Sequence, residues 1–462
     1  MSYTRRTWPM KPRILLVNPP IYDFSAYDFW LKPYGLLRVG GFLRGQAEFE
    51  LFDYLDRADS RVPAGHYRSD PWGRGRFYSE AAAKPGLFAD LPRHFRRFGL
   101  PRAVFRDYLL MSAPCDFVLI QSGMTYWYLG VREAIADIRS IWPKAKIVLG
   151  GVYATLCPAH ARASGADLVI AGADLMPLWN FLEIAPDERA LPLWDRYPSL
   201  AAGVLKLADG CPFRCTYCSV PQVYPKFHPR PLDRSLAELE FLLRLGVQQV
   251  AFYDDALLHQ PEQLLKPFLC AALRRGWHVN FHTPNALNAR FISRDLAEIM
   301  VTSGFKNIYL GFESSAYGWQ KKTGGKVYSE ELARAVDHLT RAGADRRLLH
   351  AYLIIGHPEN DEQDVAASME FANALGLLVK LSEFSPLPGT MDGERCRPWA
   401  DLDEPLSHNK TAFTLKRLGQ RQINYLKSRA NELNRKLLAE FHHEPAARAP
   451  EAATEASMSD WP

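Results

Sequence analysis

No stretch of this 462-residue chain approaches the ~20 consecutive apolar residues that a membrane-spanning helix needs. The opening segment, MSYTRRTWPMKPR, contains no apolar run of the kind that a secretory signal carries. Cysteine is scarce: there are seven, an odd number, and three of them fall between positions 211 and 218. That is not the even, dispersed set of an extracellular disulfide framework, so a reducing cytoplasm is the expected compartment. Neither sign of charge dominates, with 56 Lys and Arg against 51 Asp and Glu. A net charge of +5 gives no ground for a nucleic-acid partner. No short-period repeat is present. What remains is an ordinary globular composition, 47% hydrophobic and 23% charged, in a chain long enough for two or three domains.

The charge is unevenly spread. Residues 57–110 hold eleven basic residues (Arg57, Arg61, Arg68, Arg74, Arg76, Lys84, Arg93, Arg96, Arg97, Arg102 and Arg106) against five acidic ones. The segment is rich in Gly, Pro and Arg and reads as a long irregular insertion. It is either a solvated surface or a lid or groove for an anionic group.

Around it the pattern is regular. Strands are expected at 13–18, 116–121, 146–149 and 167–170, with helices near 34–45, 129–141 and 158–164. Alternating strands and helices of this kind build a parallel sheet covered on both faces, here a flavodoxin-like, doubly wound α/β domain over 1–190 that binds ligands at the carboxyl ends of its strands. Residues 183–200, with three prolines, read as a linker. A second series follows over 195–400. Its strands are expected at 203–208, 248–253, 278–282, 306–311, 348–354 and 379–384, with five helices between them, near 234–245, 262–275, 293–303, 329–342 and 361–375. That is a partial (β/α)6 barrel, two units short of the full eight. A helical extension is expected over 405–442, and the tail 443–462, poor in large apolar residues, is expected to be disordered.

The strongest chemical signal is GCPFRCTYCSV, residues 210–220, where Cys211, Cys215 and Cys218 stand at C-x3-C-x2-C directly after the first barrel strand. Three thiolates on a short loop can reach three irons of a [4Fe–4S] cube and leave the fourth open. Zinc competes, but a closed zinc site wants a fourth ligand, for which only Cys270 or His228 offers itself. Three unliganded structural cysteines are the remaining reading.

With its aromatic Tyr217 before the last cysteine, this motif resembles that of the radical S-adenosylmethionine (SAM) superfamily. The resemblance implies that the open iron binds SAM and that reductive cleavage of SAM yields a 5′-deoxyadenosyl radical. It also implies roles at later strand ends. Tyr217 would pack near the adenine. Asp254 and Asp255 in FYDDALL would meet SAM's amino group, where capping of the next helix is the alternative. Glu313 and Ser314 in YLGFESS would bind its ribose or carboxylate. Ile354, Gly356 and Glu359 in LIIGHPEND would line the adenine, although Tyr352 stands where the family has a glycine. FSPLPGT, 384–390, matches a P-x-P-G-T segment or is simply a turn. His282, Asn285 and Asn288 after the third strand face substrate or are satisfied loop groups. No catalytic acid or base is singled out.

The front segment, through LLVNPP at 15–20 and DFVLIQSGMTYWYLGV…IVLGGVYATLCPAHA…ADLVIAG, resembles the cobalamin (B12)-binding-like domain of class B radical SAM methyltransferases. Ser122, Thr125, Gly150 and Gly151 would edge the corrinoid pocket, yet the D-x-H-x-x-G motif that supplies a cobalt ligand elsewhere is absent. Methylthiotransferases are disfavoured because only Cys115 and Cys157 lie in the front domain, and auxiliary clusters because only Cys396 lies beyond the barrel. The expected cofactors are therefore a [4Fe–4S] cluster and SAM, with cobalamin implied by the front domain. The expected partners are a small-molecule substrate and a flavodoxin- or ferredoxin-type electron donor. The expected reaction is cobalamin-dependent methylation of an unactivated carbon. The alternatives are a radical cyclisation, oxidation or rearrangement without cobalamin, and an iron–sulfur redox-sensing binding protein.

Overall fold

A computed structural model describes residues 10–65 and 69–443. Arg68 and the tail beyond 443 lie outside the described residues. Among those described, no helix is long and apolar enough to cross a membrane. The chain forms two compact units, each discontinuous in sequence. Among the described residues, the first comprises 10–65, 69–256, 356–358 and 383–420, and the second 257–355, 359–382 and 421–443. The sequence division near 190 follows a change of pattern, whereas these units follow packing.

The first unit is built on five parallel strands, β1 (Arg13–Asn18), β2 (Glu48–Asp53), β3 (Phe117–Ser122), β4 (Lys146–Gly151) and β5 (Leu168–Val169). Their order across the sheet is β5-β4-β3-β1-β2. This is the flavodoxin-like doubly wound order, whose switch point lies between β1 and β3. The strands read as apolar runs because both faces are covered: Ile14, Leu15, Leu16 and Val17 are wholly buried, as are Val118 and Ile147. Helices α1 (Tyr34–Phe42), α2 (Arg102–Met111), α3 (Tyr128–Ile141) and α4 (Val152–Leu156) accompany this sheet.

The segment read as irregular is ordered. Strands Ile21–Asp23, Arg96–Phe98 and Ser79–Ala81 form an antiparallel sheet, and α2 closes the segment. Its arginines are engaged within the unit: Arg57 with Asp28 at 2.7 Å, Arg74 with Asp70 at 2.7 Å, Arg97 with Glu133 at 2.7 Å, and Arg102 and Arg106 with Asp137 at 2.8 and 2.6 Å. The positive excess thus largely meets carboxylates from α3 and neighbouring loops. The linker reading of 183–200 also needs correction. Leu193 and Trp194 are wholly buried, Leu193 N donates to Leu37 O at 3.1 Å, and Gly41 lies so close to Leu191 that a Cβ there would sit 2.4 Å from its carbonyl oxygen. The prolines bend a packed strap.

The second series keeps its expected alternation, divided between the units. In the first unit, β6 (Gly203–Leu205) pairs in parallel with β7 (Gln249–Phe252), with α5 (Val220–Val223) and α6 (Leu232–Arg244) between them. The second unit holds β8 (Asn280–His282) and the sheet β9 (Ile308–Glu313), β10 (Leu349–Ile355), β11 (Leu378–Glu383), of which β9 and β10 are parallel. The C-terminal extension runs over Lys410–His443 but is two helices, broken at Gly419, whose φ of 75° and ψ of 158° are not helical.

Candidate cluster and cofactor site

The three cysteines lie on an irregular loop between β6 and α5, and each is partly exposed. The loop is pinned at its entry. Gly210 has a φ of +82°, and a Cβ there would lie 2.5 Å from Lys226 O, so only glycine fits. Asp209 pairs antiparallel with His228 across the loop's base. The other cysteines of the first unit differ. Cys115, Cys157 and Cys396 are buried, and burial pushes their thiols up to about 12, 12 and 11. Buried, protonated thiols are poor ligands. Among the described residues, no three His, Cys, Asp or Glu converge on a single point. Three accessible thiols on one anchored loop fit the separate irons of a cube.

Just before the loop sits a buried ionic knot. Lys206, 8% exposed at its side chain, lies 3.2 Å from Asp209 and 3.5 Å from Asp255. Burial works against its charge, but Asp255, Tyr224 and Asp209 outweigh it and hold the ammonium above its ordinary value. Asp209 is likewise penalised by burial but is held well below the carboxylate range by Lys206, Arg38 and Arg230. Asp254 and Asp255 therefore have different roles. Asp254 is 4% exposed, and its Oδ1 accepts from Leu207 N and Ala208 N at 2.9 and 2.7 Å, tying the end of β7 to the chain entering the cluster loop. Only Asp255 retains an accessible carboxylate, already shared with Lys206. Neither caps the next helix, Leu265–Arg274, which begins ten residues later.

Burial raises Asp254 to about 7, although Lys206 and the two amides oppose it. A folded-state value above the unfolded one means that the folded state binds more protons across the interval. Stability from this group is present below pH ~4 and lost as the pH climbs to about 7. Asp254→Asn keeps an acceptor for both amides. Wild type should lose ~1–3 kcal/mol relative to this variant between pH 4.5 and 7.5. Urea denaturation at both pH values checks this; parallel pH profiles would refute it.

Thr216, inside the cysteine motif, is gripped twice by Asp392. Its hydroxyl donates to Asp392 Oδ2, and Asp392 N donates to Thr216 O at 3.1 Å. His357 Nε2 lies 3.0 Å from the same Oδ2, and Arg395 Nη1 lies 3.1 Å from Oδ1. Burial disfavours the Asp392 carboxylate, but the bonds from His357 and Thr216 keep it below its ordinary range. This cluster escaped the sequence reading. The sequence offered His357 inside LIIGHPEND and Asp392 two residues past the P-x-P-G-T segment, but nothing in it joined the two. Gly356, at φ +79° and with a Cβ position 2.5 Å from Thr414 Oγ1, makes the turn that presents His357.

In the second unit, Glu313 ends β9 at a register shift, with a left-handed φ of 70°, and pairs with Lys326 at 3.1 Å. Such backbone costs ~1–3 kcal/mol in a non-glycine residue and clusters at functional sites. Ser314 is wholly buried, and its hydroxyl accepts from Ala316 N at 3.2 Å, so it shapes the turn rather than offering a binding group. Ile354 is buried, and its carbonyl accepts from Asn360 at 3.3 Å. Tyr352 stacks on Tyr309 at 5.1 Å, and Glu359 lies 3.7 Å from Lys322. His282 is buried against Asn307, Asn288 caps a short turn by accepting from Arg290 N, and Asn285 is exposed.

At the carboxyl edge of the five-stranded sheet, Ser122 donates to Gly150 O at 2.9 Å and accepts from Tyr153 N at 3.1 Å. Thr125 is wholly buried against His408 at 3.0 Å. Both hydroxyls thus serve the fold. Gly151, at φ +96°, would place a Cβ 2.5 Å from Ser122 O, whereas a Cβ on Gly150 would meet only Ile170, at 3.9 Å. Gly123, Met124 and Gly151 form an exposed rim. Helix α4, which leaves Gly151, packs against α5, which leaves the cluster loop.

Residues 205–372 match the model of the Radical SAM superfamily. This chain carries a radical SAM domain. It is 24% identical over 300 residues to an uncharacterised methyltransferase, PH0819, of Pyrococcus horikoshii, covering 63% of this chain and 61% of that protein. It is 26% identical over 194 residues to the ribosomal protein uS12 methylthiotransferase RimO of Moorella thermoacetica, covering 40% and 45%. The chain therefore spans less than two thirds of either relative. Among solved structures it is similar to the radical SAM methyltransferase TsrM of Kitasatospora setae, with a TM-score of 0.61, 17% identity and coverage of 84% and 77%. It is also similar to the cobalamin-dependent SAM radical enzyme OxsB, with a TM-score of 0.53, 14% identity and coverage of 87% and 57%. At such identity these likenesses establish the fold. They extend across both series of strands. Radical SAM domains use a [4Fe–4S] cluster and SAM, and both cofactors are assigned to this one.

Proposed function

We propose that the protein is a radical SAM methyltransferase that uses a corrinoid to methylate an unactivated carbon of a small molecule. The observation that carries this reading is the packing of α4 on α5 within one compact unit. Helix α4 starts at Gly151 and α5 follows Cys218, so this contact supports a pocket edged by Gly123, Met124, Gly150 and Gly151 next to the cysteine loop. When bound, the cluster supplies the electron that breaks a carbon–sulfur bond of SAM, and the corrinoid supplies a methyl carrier. A flavodoxin- or ferredoxin-type protein delivers the electron.

The chain's own residues have separable roles. The three cysteines hold iron. Lys206 holds Asp209 and Asp255 in place at the loop's entry, and Asp255 offers the carboxylate that an ammonium of SAM would share. Tyr217 provides an aromatic face on the same loop. Glu313 extends a carboxylate from a strained strand end. The glycines of the rim allow a large flat ligand to approach the backbone.

The test is anaerobic reconstitution with iron, sulfide, SAM, a reductant and hydroxocobalamin. The expected products are 5′-deoxyadenosine and S-adenosylhomocysteine, with the corrinoid retained on the protein. If 5′-deoxyadenosine forms without bound corrinoid or S-adenosylhomocysteine, methyl transfer is excluded, and the reaction is a cyclisation, oxidation or rearrangement. The two rim glycines separate fold from pocket. Gly151→Ala should cost ~1–3 kcal/mol, because it strains a positive φ against Ser122. Gly150→Ala should change stability by less than ~0.5 kcal/mol yet weaken corrinoid binding several-fold in a spectral titration. Unaltered corrinoid affinity in Gly150→Ala would remove the rim from the pocket.

A further inference from the structure

The cluster loop is not held by its own neighbours alone. Thr216 sits between the second and third cysteines. Its side chain and its main chain are both bound by one residue, Asp392, 176 positions later in the chain. Such double attachment fixes a peptide unit in position and orientation, which one hydrogen bond does not. Asp392 is itself immobilised. It is 1% exposed and is the second residue of a short helix whose N-cap is Thr390, and Cys396 Sγ donates to its carbonyl at 3.2 Å. His357, also 1% exposed, faces the carboxylate with Nε2 and meets the ring of Phe384 edge-on at 4.9 Å. A carboxylate oxygen only accepts, so both Thr216 and His357 donate to Oδ2. The preceding segment is seated against α5: Gln222 Nε2 donates to Pro388 O at 3.1 Å.

We propose that Thr216, Asp392 and His357 form a positioning relay for the cluster loop, which holds Cys215 and Cys218 in ligating register and sets a buried carboxylate, paired with Arg395 at 3.1 Å, against that loop. The inference rests on the cluster reading above. It goes beyond it by assigning a function to three residues that bind neither iron nor SAM. Two physical effects follow. Losing the grip at Thr216 leaves the loop fewer fixed points, so iron escapes faster. Losing the charge at Asp392 makes an arriving electron more welcome, so the cluster's potential rises.

The experiment uses the full chain, reconstituted with iron and sulfide under anaerobic conditions. Wild type, Thr216→Ser, Thr216→Val and Asp392→Asn are compared by rate of iron loss to a chelator, electron paramagnetic resonance of the reduced cluster, and midpoint potential. Thr216→Val should lose iron several-fold faster with an altered resonance, and Thr216→Ser should restore both. Asp392→Asn should shift the potential upward. The Thr216→Val and Asp392→Asn effects on iron loss should combine to less than their sum, as expected for one connected unit. Thr216→Val indistinguishable from Thr216→Ser in iron loss and resonance would overturn the relay, whatever Asp392→Asn does. Should Asp392→Asn fail to fold, the two Thr216 variants still decide the question. A wild-type protein that assembles no cluster would instead overturn the reading on which the relay rests, so the two failures are distinct.

Discussion

Cys215→Ala is expected to give a folded protein that retains little cluster iron and forms no 5′-deoxyadenosine from SAM. The cysteine lies on a partly exposed loop and is not part of a core. Its removal should change stability by no more than ~0.5 kcal/mol. A cluster held by Cys211, Cys215 and Cys218 would, by contrast, lose one of three protein ligands, and no buried thiol would take its place. Cys115→Ala is the matched control. That thiol is 4% exposed and its burial pushes it up to about 12, so the variant should lose ~1 kcal/mol of stability yet keep its iron and its SAM cleavage. Iron and sulfide analysis together with chromatography of SAM products reads both variants. Unchanged SAM cleavage in Cys215→Ala would sink the enzyme reading and favour a binding or sensing protein.

Arg97→Ala should destabilise the first unit by ~3–5 kcal/mol. The Arg97 side chain is 6% exposed and that of Glu133 is 7%. Arg97 Nε and Nη2 meet Glu133 at 3.0 and 2.7 Å, Nη1 donates to Leu100 O at 2.7 Å, and Tyr22 donates to the same carboxylate at 2.6 Å. Truncating the arginine leaves a buried charge with one hydroxyl donor and, among the described residues, no cation in ion-pair contact, Arg102 acting only from farther off. The guanidinium fork makes three of these bonds, so Arg97→Lys should recover only part of the loss. Arg97→Ala combined with Glu133→Gln should be more stable than Arg97→Ala alone. Thermal and urea denaturation measure all of these. A loss below ~1 kcal/mol would mean that the pair is hydrated in solution.

The alternation of strands and helices was legible because burial imposes period. Ile14 to Val17 are buried on both sheet faces and read as an unbroken apolar run. The helix Ser329–Arg341 buries Leu332, Ala335, Val336 and Leu339 at helical spacing. What the sequence hid was pairing at long range. The arginines of 57–110 looked like free charge because Glu133 and Asp137 belong to a different helix. Asp254 and Asp255 looked equivalent because adjacent carboxylates carry no mark of direction, and only the fold turns one toward the amides of Leu207 and Ala208. Residues 183–200 looked like a linker because prolines masked the buried pair Leu193 and Trp194. The cysteine motif stood out because its three thiols fall within eight residues of one another, whereas the polar residues proposed for SAM and a corrinoid are scattered along the chain.

The interleaving of the two units has a consequence for the order of events in the cell. Translation proceeds at ~5–20 residues per second, so the 176 positions between Thr216 and Asp392 take about 10–35 s to synthesise. For most of that interval the cysteines have left the ribosome while the residue that clasps their loop does not yet exist. Iron delivered early would meet three loosely held thiols. Delivered after residue 392, it meets a finished socket. If Asp392 holds the cluster loop as proposed, stable metal loading is expected only after synthesis of the second series.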